Sequence, residues 1–211
     1  MTGPVYDAIA QRRIVYDAHV FGNHEFDFTP TFLERFIRGF VAPDGRLVQP
    51  FLSSNLDFTG EPTWAELLDA DGLIVGEATD GRVVARAMVI VDPTTTARFG
   101  VVGATTPLLP TISSPRDVLV TSSDIGSTAE AVQAEIDRLT GLGVNKIVVV
   151  SPLQDIANDV QMIGLLHDVD AAVAGGGDEL LANAGDLLVP GDGAGANPVV
   201  GPYPRVVSDA D

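Results

Sequence analysis

Gly22-Asn23-His24-Glu25-Phe26-Asp27 is the stretch on which the reading of this chain turns. The segment before it, Ile14 to Phe21, is apolar and reads as a buried strand. The segment after it, Phe32-Leu33-Glu34-Arg35-Phe36-Ile37, repeats its apolar positions at helical spacing. Open α/β sheets bind ligands just beyond the carboxyl ends of their strands, which is where this polar stretch falls. An amide, an imidazole and a carboxylate so close together suit metal or phosphoryl chemistry. Asn23 offers a neutral oxygen to a cation. His24 can give a proton to a leaving oxygen. Asp27, three residues on, can hold the imidazole and raise its basicity. The same residues also suit a capped helix start, with Asn23 as cap and Glu25 and Asp27 favouring the positive helix end.

Working outward, Thr29-Pro30 marks a helix entry, with Thr as cap and Pro at the first helical position, and the helix runs over about 30–39. Upstream, Val5, Ala8 and Ile9 form the inner face of a short terminal helix. Downstream, Pro43-Asp44-Gly45 is a turn, and Phe51 to Leu56 a short strand with a polar end at Asn55. Residues 57–80 read as irregular, with one or two helical turns at Trp64 to Leu68 and a solvated turn at Asp69-Ala70-Asp71-Gly72. Arg82 to Val91 and Arg98 to Gly103 pair as an antiparallel hairpin. The proline-rich stretch 107–116 is a loop, and Asp117 to Thr121 is extended.

From there the chain alternates. Ser127-Thr128-Ala129-Glu130 reads as a capping box opening a helix with Val132, Ile136 and Leu139 on one face. Asn145 to Val150 is a continuous apolar run, hence a buried parallel strand. A second helix carries Ile156, Val160, Ile163 and Leu166, and Val169 to Ala174 is the next strand. This α-β-α-β order implies parallel strands joined by right-handed crossovers. Leu180-Leu181 reads as a packed turn, 190–202 as an exposed loop, and Tyr203 to Val207 as a last strand. Four polar clusters therefore follow strands: 22–27, Asn55, 151–155 and 175–179.

The bulk composition narrows the function classes. The 211 residues are 45% apolar, enough for one domain with a real core. There is no apolar run long enough to span a membrane, and Met1-Thr2-Gly3-Pro4 does not read as a signal peptide. Net charge is −17, from 29 acidic and 12 basic residues, and Lys146 is the one lysine. That potential opposes binding to nucleic-acid polymers and anionic membranes. The absence of cysteine excludes a disulfide frame, a thiolate metal site and a thiol nucleophile. Of three histidines, His19 reads as a satisfied strand residue and His167 as a helix C-terminal one, which leaves His24 for catalysis. Gly175-Gly176-Gly177 is the glycine content of a tight turn, without the spacing of a dinucleotide loop.

The hexapeptide resembles the Gly-Asn-His-Glu-Phe-Asp signature of the 5′-nucleotidase branch of calcineurin-like metallophosphoesterases. Looser similarities keep that family's order. They are Ser53-Ser54-Asn55, Phe99 to Pro107, the strand from Asn145 to Ser151, the strand from Val169 to Gly176, and Tyr203-Pro204. The resemblance implies an α/β (α+β) fold of mixed β-sheets packed face to face with helices outside, a four-layer sandwich. It implies two divalent metal ions, such as Zn, Mn or Mg, that activate water for in-line attack on phosphorus. In that scheme Asn23 ligates a metal, His24 meets the scissile phosphate and the leaving group, and Asp27 orients His24. The expected reaction is hydrolysis of nucleotides or related phosphomonoesters. The expected location is extracellular, periplasmic or at the cell surface.

Departures from the family pattern accompany it. No Asp-X-His followed by a Gly-Asp motif precedes residue 22, so the expectation is a single partial domain over 1–211, incomplete at its N-terminus. The same expectation includes no separate nucleotide-specificity domain within these residues, and further domains of a longer protein. The Ser/Thr-His element reads Ser151-Pro152, and Gly-Gly-His-Ser-His reads Gly175-Gly176-Gly177-Asp178-Glu179. Asp178 and Glu179 stand as substitute oxygen ligands, or as acids beginning a helical turn. The alternative function is a catalytically degenerate or truncated member kept as a binding or cell-surface module.

Overall fold

A computed structural model describes residues 5–14, 16–40, 49–78, 80–195, 197–208 and 210. The turn at Pro43-Asp44-Gly45 and the first four residues lie outside them. In chain order the elements are α1 (Tyr6–Gln11), β1 (His19–Val20), α2 (Pro30–Ile37), β2 (Phe51–Leu52), β3 (Leu56–Asp57), β4 (Leu73–Val75), β5 (Val84–Ala85), β6 (Ala87–Val91) and β7 (Arg98–Gly103). There follow α3 (Leu109–Ile112), β8 (Leu119–Val120), α4 (Ile125–Gly141), β9 (Ile147–Ser151), α5 (Ile156–Ile163), β10 (Ala171–Ala174), β11 (Leu180–Leu181) and β12 (Val199–Gly201).

Five strands form the main sheet in the order β10-β9-β7-β6-β4. β6 and β7 are the antiparallel hairpin, while β9 lies parallel to both β7 and β10. The helical connections α4 and α5 join those parallel neighbours, as the alternation of the sequence demands. A smaller all-parallel sheet runs β1-β2-β5. Period-two alternation divides the main sheet between two cores. Met88, Ile90 and Val101 face a core shared with Phe51, Leu52, Val84 and Ala85 of the small sheet and with Leu33 and Ile37 of α2. Ala87, Val89, Val102, Ile147 and Val149 face the opposite core beneath α4 and α5. The result is a mixed α/β sandwich of two facing sheets with helices outside.

The helices form for legible reasons. Val132, Ile136 and Leu139 of α4 are fully buried, worth about 1.5–3 kcal/mol each. The capping box that starts α4 is not Ser127–Glu130. Asp124 is the cap: its carboxylate accepts from the Ser127 backbone amide, and the Ser127 hydroxyl accepts from the Asp124 amide. An acidic cap one turn earlier extends the helix to cover Ile125. At α2, Pro30 takes the first helical position, but Thr29 makes no side-chain cap and sits at φ 75°.

Other expectations shorten or move. Among the described residues of the 14–21 segment, only His19 and Val20 pair as a strand. Ile14 and Tyr16 are exposed in a turn, because Gln11 and Ile14 carbonyls accept from the amides of Ile14 and Tyr16. Phe51 to Leu56 splits at Ser53-Ser54-Asn55, and Arg82 to Val91 splits at Arg86. The stretch read as irregular contains β4, and the proline loop contains α3. Leu180-Leu181 and Val199–Gly201 pair as parallel strands instead of forming turn and loop, and 203–207 is not a strand.

Candidate active site

The signature loop is anchored from below and polar above. Phe21 and Phe26 are fully buried, and the Phe21 ring lies in a cluster with Phe51, Phe58 and Trp64. Gly22 to Asp27 bends through a 3-10 turn between these anchors and α2. Two apolar anchors at 21 and 26 leave Asn23, His24, Glu25 and Asp27 to face the surface. The Gly22 amide is held by the Glu25 carboxylate at 2.8 Å.

A second device holds the loop from the side. Asn55 is fully buried, and its amide is saturated. Its oxygen accepts from the Thr105 amide at 2.9 Å and the Ser53 hydroxyl at 3.0 Å. Its nitrogen donates to the Thr105 carbonyl at 2.7 Å and the Ser122 hydroxyl at 2.8 Å. The Thr105 hydroxyl then donates to the Phe21 carbonyl at 2.7 Å. Asn55 is thus a hub that ties the end of β7 to the entrance of the loop, not a surface group.

His24 Nδ1 lies 2.8 Å from Asp27 Oδ2, and their side chains are 82% and 40% exposed. Asp27 Oδ1 also accepts from the Ser113 hydroxyl at 2.9 Å. The hydrogen bond from His24, then that from Ser113, holds the Asp27 carboxyl below its ordinary value. The hydrogen bond to Asp27 and its charge raise the His24 imidazole above its ordinary value. An ionised Asp27 can only accept, so Nδ1 carries its proton towards it and Nε2 is presented outward. Such an arrangement is chemically able to deliver a proton from Nε2 to an oxygen above the loop.

The strand-end loops of both sheets meet here. Asn23 Oδ1 accepts from Gln154 Nε2 at 2.9 Å. A Cβ on Gly22 would lie 3.7 Å from the Pro152 ring, and one on Gly176 would lie 2.5 Å from Gln154 Nε2. The segments 22–27, 151–155 and 175–177 therefore converge. Asp178 is exposed, and Glu179 is half-buried. Glu179 lines a cavity of about 310 Å³ with Asp159, Ile156, Ala174 and Arg205. Behind Pro152, the Ser151 hydroxyl donates to Asp159 at 2.5 Å, and both residues are buried. Burial, against the Ser151 bond, pushes the Asp159 carboxyl up to about 7.

The other histidines lie outside this loop. His19 pairs with Gln49 at 2.6 Å and stacks on Phe51, and burial lowers its pKa. His167 is exposed beyond α5. Gln154 has only its place in the polar cluster 151–155, and Ser113 and Asp159 carry no sequence signal of their own. They are brought in by folding from 131, 86 and 8 residues away from Asn23, Asp27 and Ser151 respectively.

Three relatives give this geometry its context. A 5′-nucleotidase of Diplobatis ommata is 28% identical over 197 residues, which is 93% of this chain and 28% of that protein. The trifunctional nucleotide phosphoesterase YfkN of Bacillus subtilis is 28% identical over 176 residues, 76% of this chain and 11% of that protein. The crystal structure of a 5′-nucleotidase precursor from Thermus thermophilus superposes with a TM-score of 0.72 at 28% identity. The match covers 97% of this chain and 33% of that one. In sequence and fold this chain is similar to the 5′-nucleotidase-type metallophosphoesterases. No family model matches it. It spans a third or less of the length of each of these relatives.

The two divalent ions that the resemblance implies can be tested against the residues present. Among the described residues, no group of three or more His, Asp or Glu is placed to hold a metal. Asn23 Oδ1 is bonded to an amide, Pro152 has no donor, and Gly177 has no side chain. The donor set does not fit a pair of divalent ions. No helix among the described residues is long and apolar enough to cross a membrane.

Proposed function

We propose that this chain is the phosphoester-handling domain of a 5′-nucleotidase-type hydrolase, acting on nucleotides or related phosphomonoesters. The observation that carries this reading is the His24–Asp27 pair at 2.8 Å on an exposed strand-end loop. His24 meets the phosphoryl group and protonates the leaving oxygen, while Asp27, braced by Ser113, sets the imidazole's orientation. Residues 1–211 act as one domain, in an extracellular or periplasmic setting. The test is hydrolysis of an aryl phosphate and of nucleoside monophosphates, with and without Mn²⁺ or Zn²⁺. His24→Ala is expected to lose about 10²–10⁴-fold, the usual worth of a general acid. An unchanged rate in that variant removes His24 from the reaction.

A second reading has its own observation. Asn23, the loop's candidate metal ligand, is bonded to Gln154, and Pro152 and Gly177 stand where the family pattern has histidines. On that reading the domain binds phosphoesters without turning them over.

A further inference from the structure

We infer that the signature corner of this chain is held by Gln154 in place of a metal, and that it takes up no divalent cation. This rests on the second reading above. Gln154 Nε2 lies 2.9 Å from Asn23 Oδ1 and 3.5 Å from the Pro152 carbonyl oxygen. Two acceptors on one side fix which end of the Gln154 amide faces Asn23. The opposite orientation would set two oxygens against each other. The oxygen of Asn23, which a hard or borderline cation requires, is therefore turned towards a donor.

The backbone is arranged around this contact. Gln154 adopts φ 72°, a left-handed conformation that non-glycine residues take only where their surroundings demand it. Gly176, at φ 83°, leaves the space that the Gln154 amide fills, since any side chain there would collide with Nε2. Pro152 lays its ring against Gly22, so an apolar surface occupies the position of a missing imidazole. Glu25 and Asp27, the remaining carboxylates of the loop, are engaged by the Gly22 amide and by His24 and Ser113. One neutral amide bond is weak beside metal coordination, so the clamp alone would not exclude an ion. The missing anionic and imidazole donors decide the affinity, and the clamp decides where Asn23 points. Gln154 is thus a positioning residue for Asn23.

The experiment uses the whole chain, purified without chelator. Metal content is measured, Mn²⁺ and Zn²⁺ are titrated calorimetrically, and melting is followed with and without EDTA. The expected result is no saturable uptake that depends on Asn23, and an unchanged melting temperature in EDTA. Diffuse binding to the acidic surface that persists in Asn23→Ala agrees with this. Saturable uptake abolished by Asn23→Ala, or a melting temperature lowered by EDTA, overturns it. Gln154→Ala should lower melting by about 2–4 °C and raise amide exchange at 22–27 only. Unchanged exchange there refutes the positioning role. Aryl phosphate hydrolysis by metal-stripped protein would sink the second reading while leaving the inference standing. Asn23-dependent metal uptake without hydrolysis would do the reverse.

Discussion

The Ser151 hydroxyl donates to the Asp159 carboxyl at 2.5 Å, joining the last residue of β9 to the middle of α5 immediately behind the signature loop. Asp159 is 4% exposed, and its burial raises its pKa to about 7. In the unfolded chain the same carboxyl ionises near 3.9. Between those values the folded state binds the extra proton, so stability falls as pH rises from about 4 to 7. Asp159→Asn should flatten that decline and raise the melting temperature at pH 8. Melting curves across pH 4–8 in both proteins check it.

The His24–Asp27 pair acts in a neighbouring window. A raised His24 pKa contributes stability that is present below its unfolded value and lost as pH rises through the folded one. Asp27→Ala removes both the bond and the charge. The imidazole midpoint should then move down, towards its ordinary value. Proton NMR of the His24 ring is the measurement, and an unmoved midpoint would show that the pair does not form in solution.

Asn55 should be costly to truncate. Asn55→Ala leaves the Thr105 amide and carbonyl buried without partners. Each such group costs about 1–3 kcal/mol. The loss should be visible in denaturant unfolding, and with it protection at Phe21 and Gly22 should fall.

Gly103 marks the place where the two sheets touch. The Ser54 amide donates to its carbonyl at 2.8 Å, and a Cβ on Gly103 would lie 2.7 Å from the Leu52 oxygen. Backbone cannot yield as a side chain can, so Gly103→Ala should destabilise by about 1–3 kcal/mol. Gly141, with nothing within 4 Å of its would-be Cβ, is the matched control. Gly141→Ala should be neutral or mildly stabilising.

Arg86 and Glu135 pair across the main sheet and α4, with the Glu135 side chain only 7% exposed. Arg86→Ala strands that carboxylate against Arg138, which lies 3.5 Å from its other oxygen. A loss of about 1.5–3 kcal/mol is expected. Glu135→Gln with Arg86→Ala should recover part of it, as a double-mutant cycle would show.

Periodicity and local chemistry determined much of this protein without help. The run Ile147 to Val150 between two helical patterns could only be an interior parallel strand, and the hairpin of β6 and β7 is written in alternating residues around Asp92-Pro93. The hexapeptide at 22–27 marked the loop and the family it resembles, because a signature is contiguous. The lengths of β1, β2 and β5 were not legible, since where a strand stops depends on which neighbour it pairs with. The cap of α4 is not legible to within a turn, because Ser127 is compatible with either register and only the Asp124 contact decides. Tertiary structure alone brought Gln154 to Asn23 and Ser113 to Asp27, over 131 and 86 residues. It alone buried Asn55 and Asp159. Such contacts follow from how two sheets face each other, and no local pattern encodes that. The family signature thus came from the sequence, and the partner that answers Asn23 came from the fold.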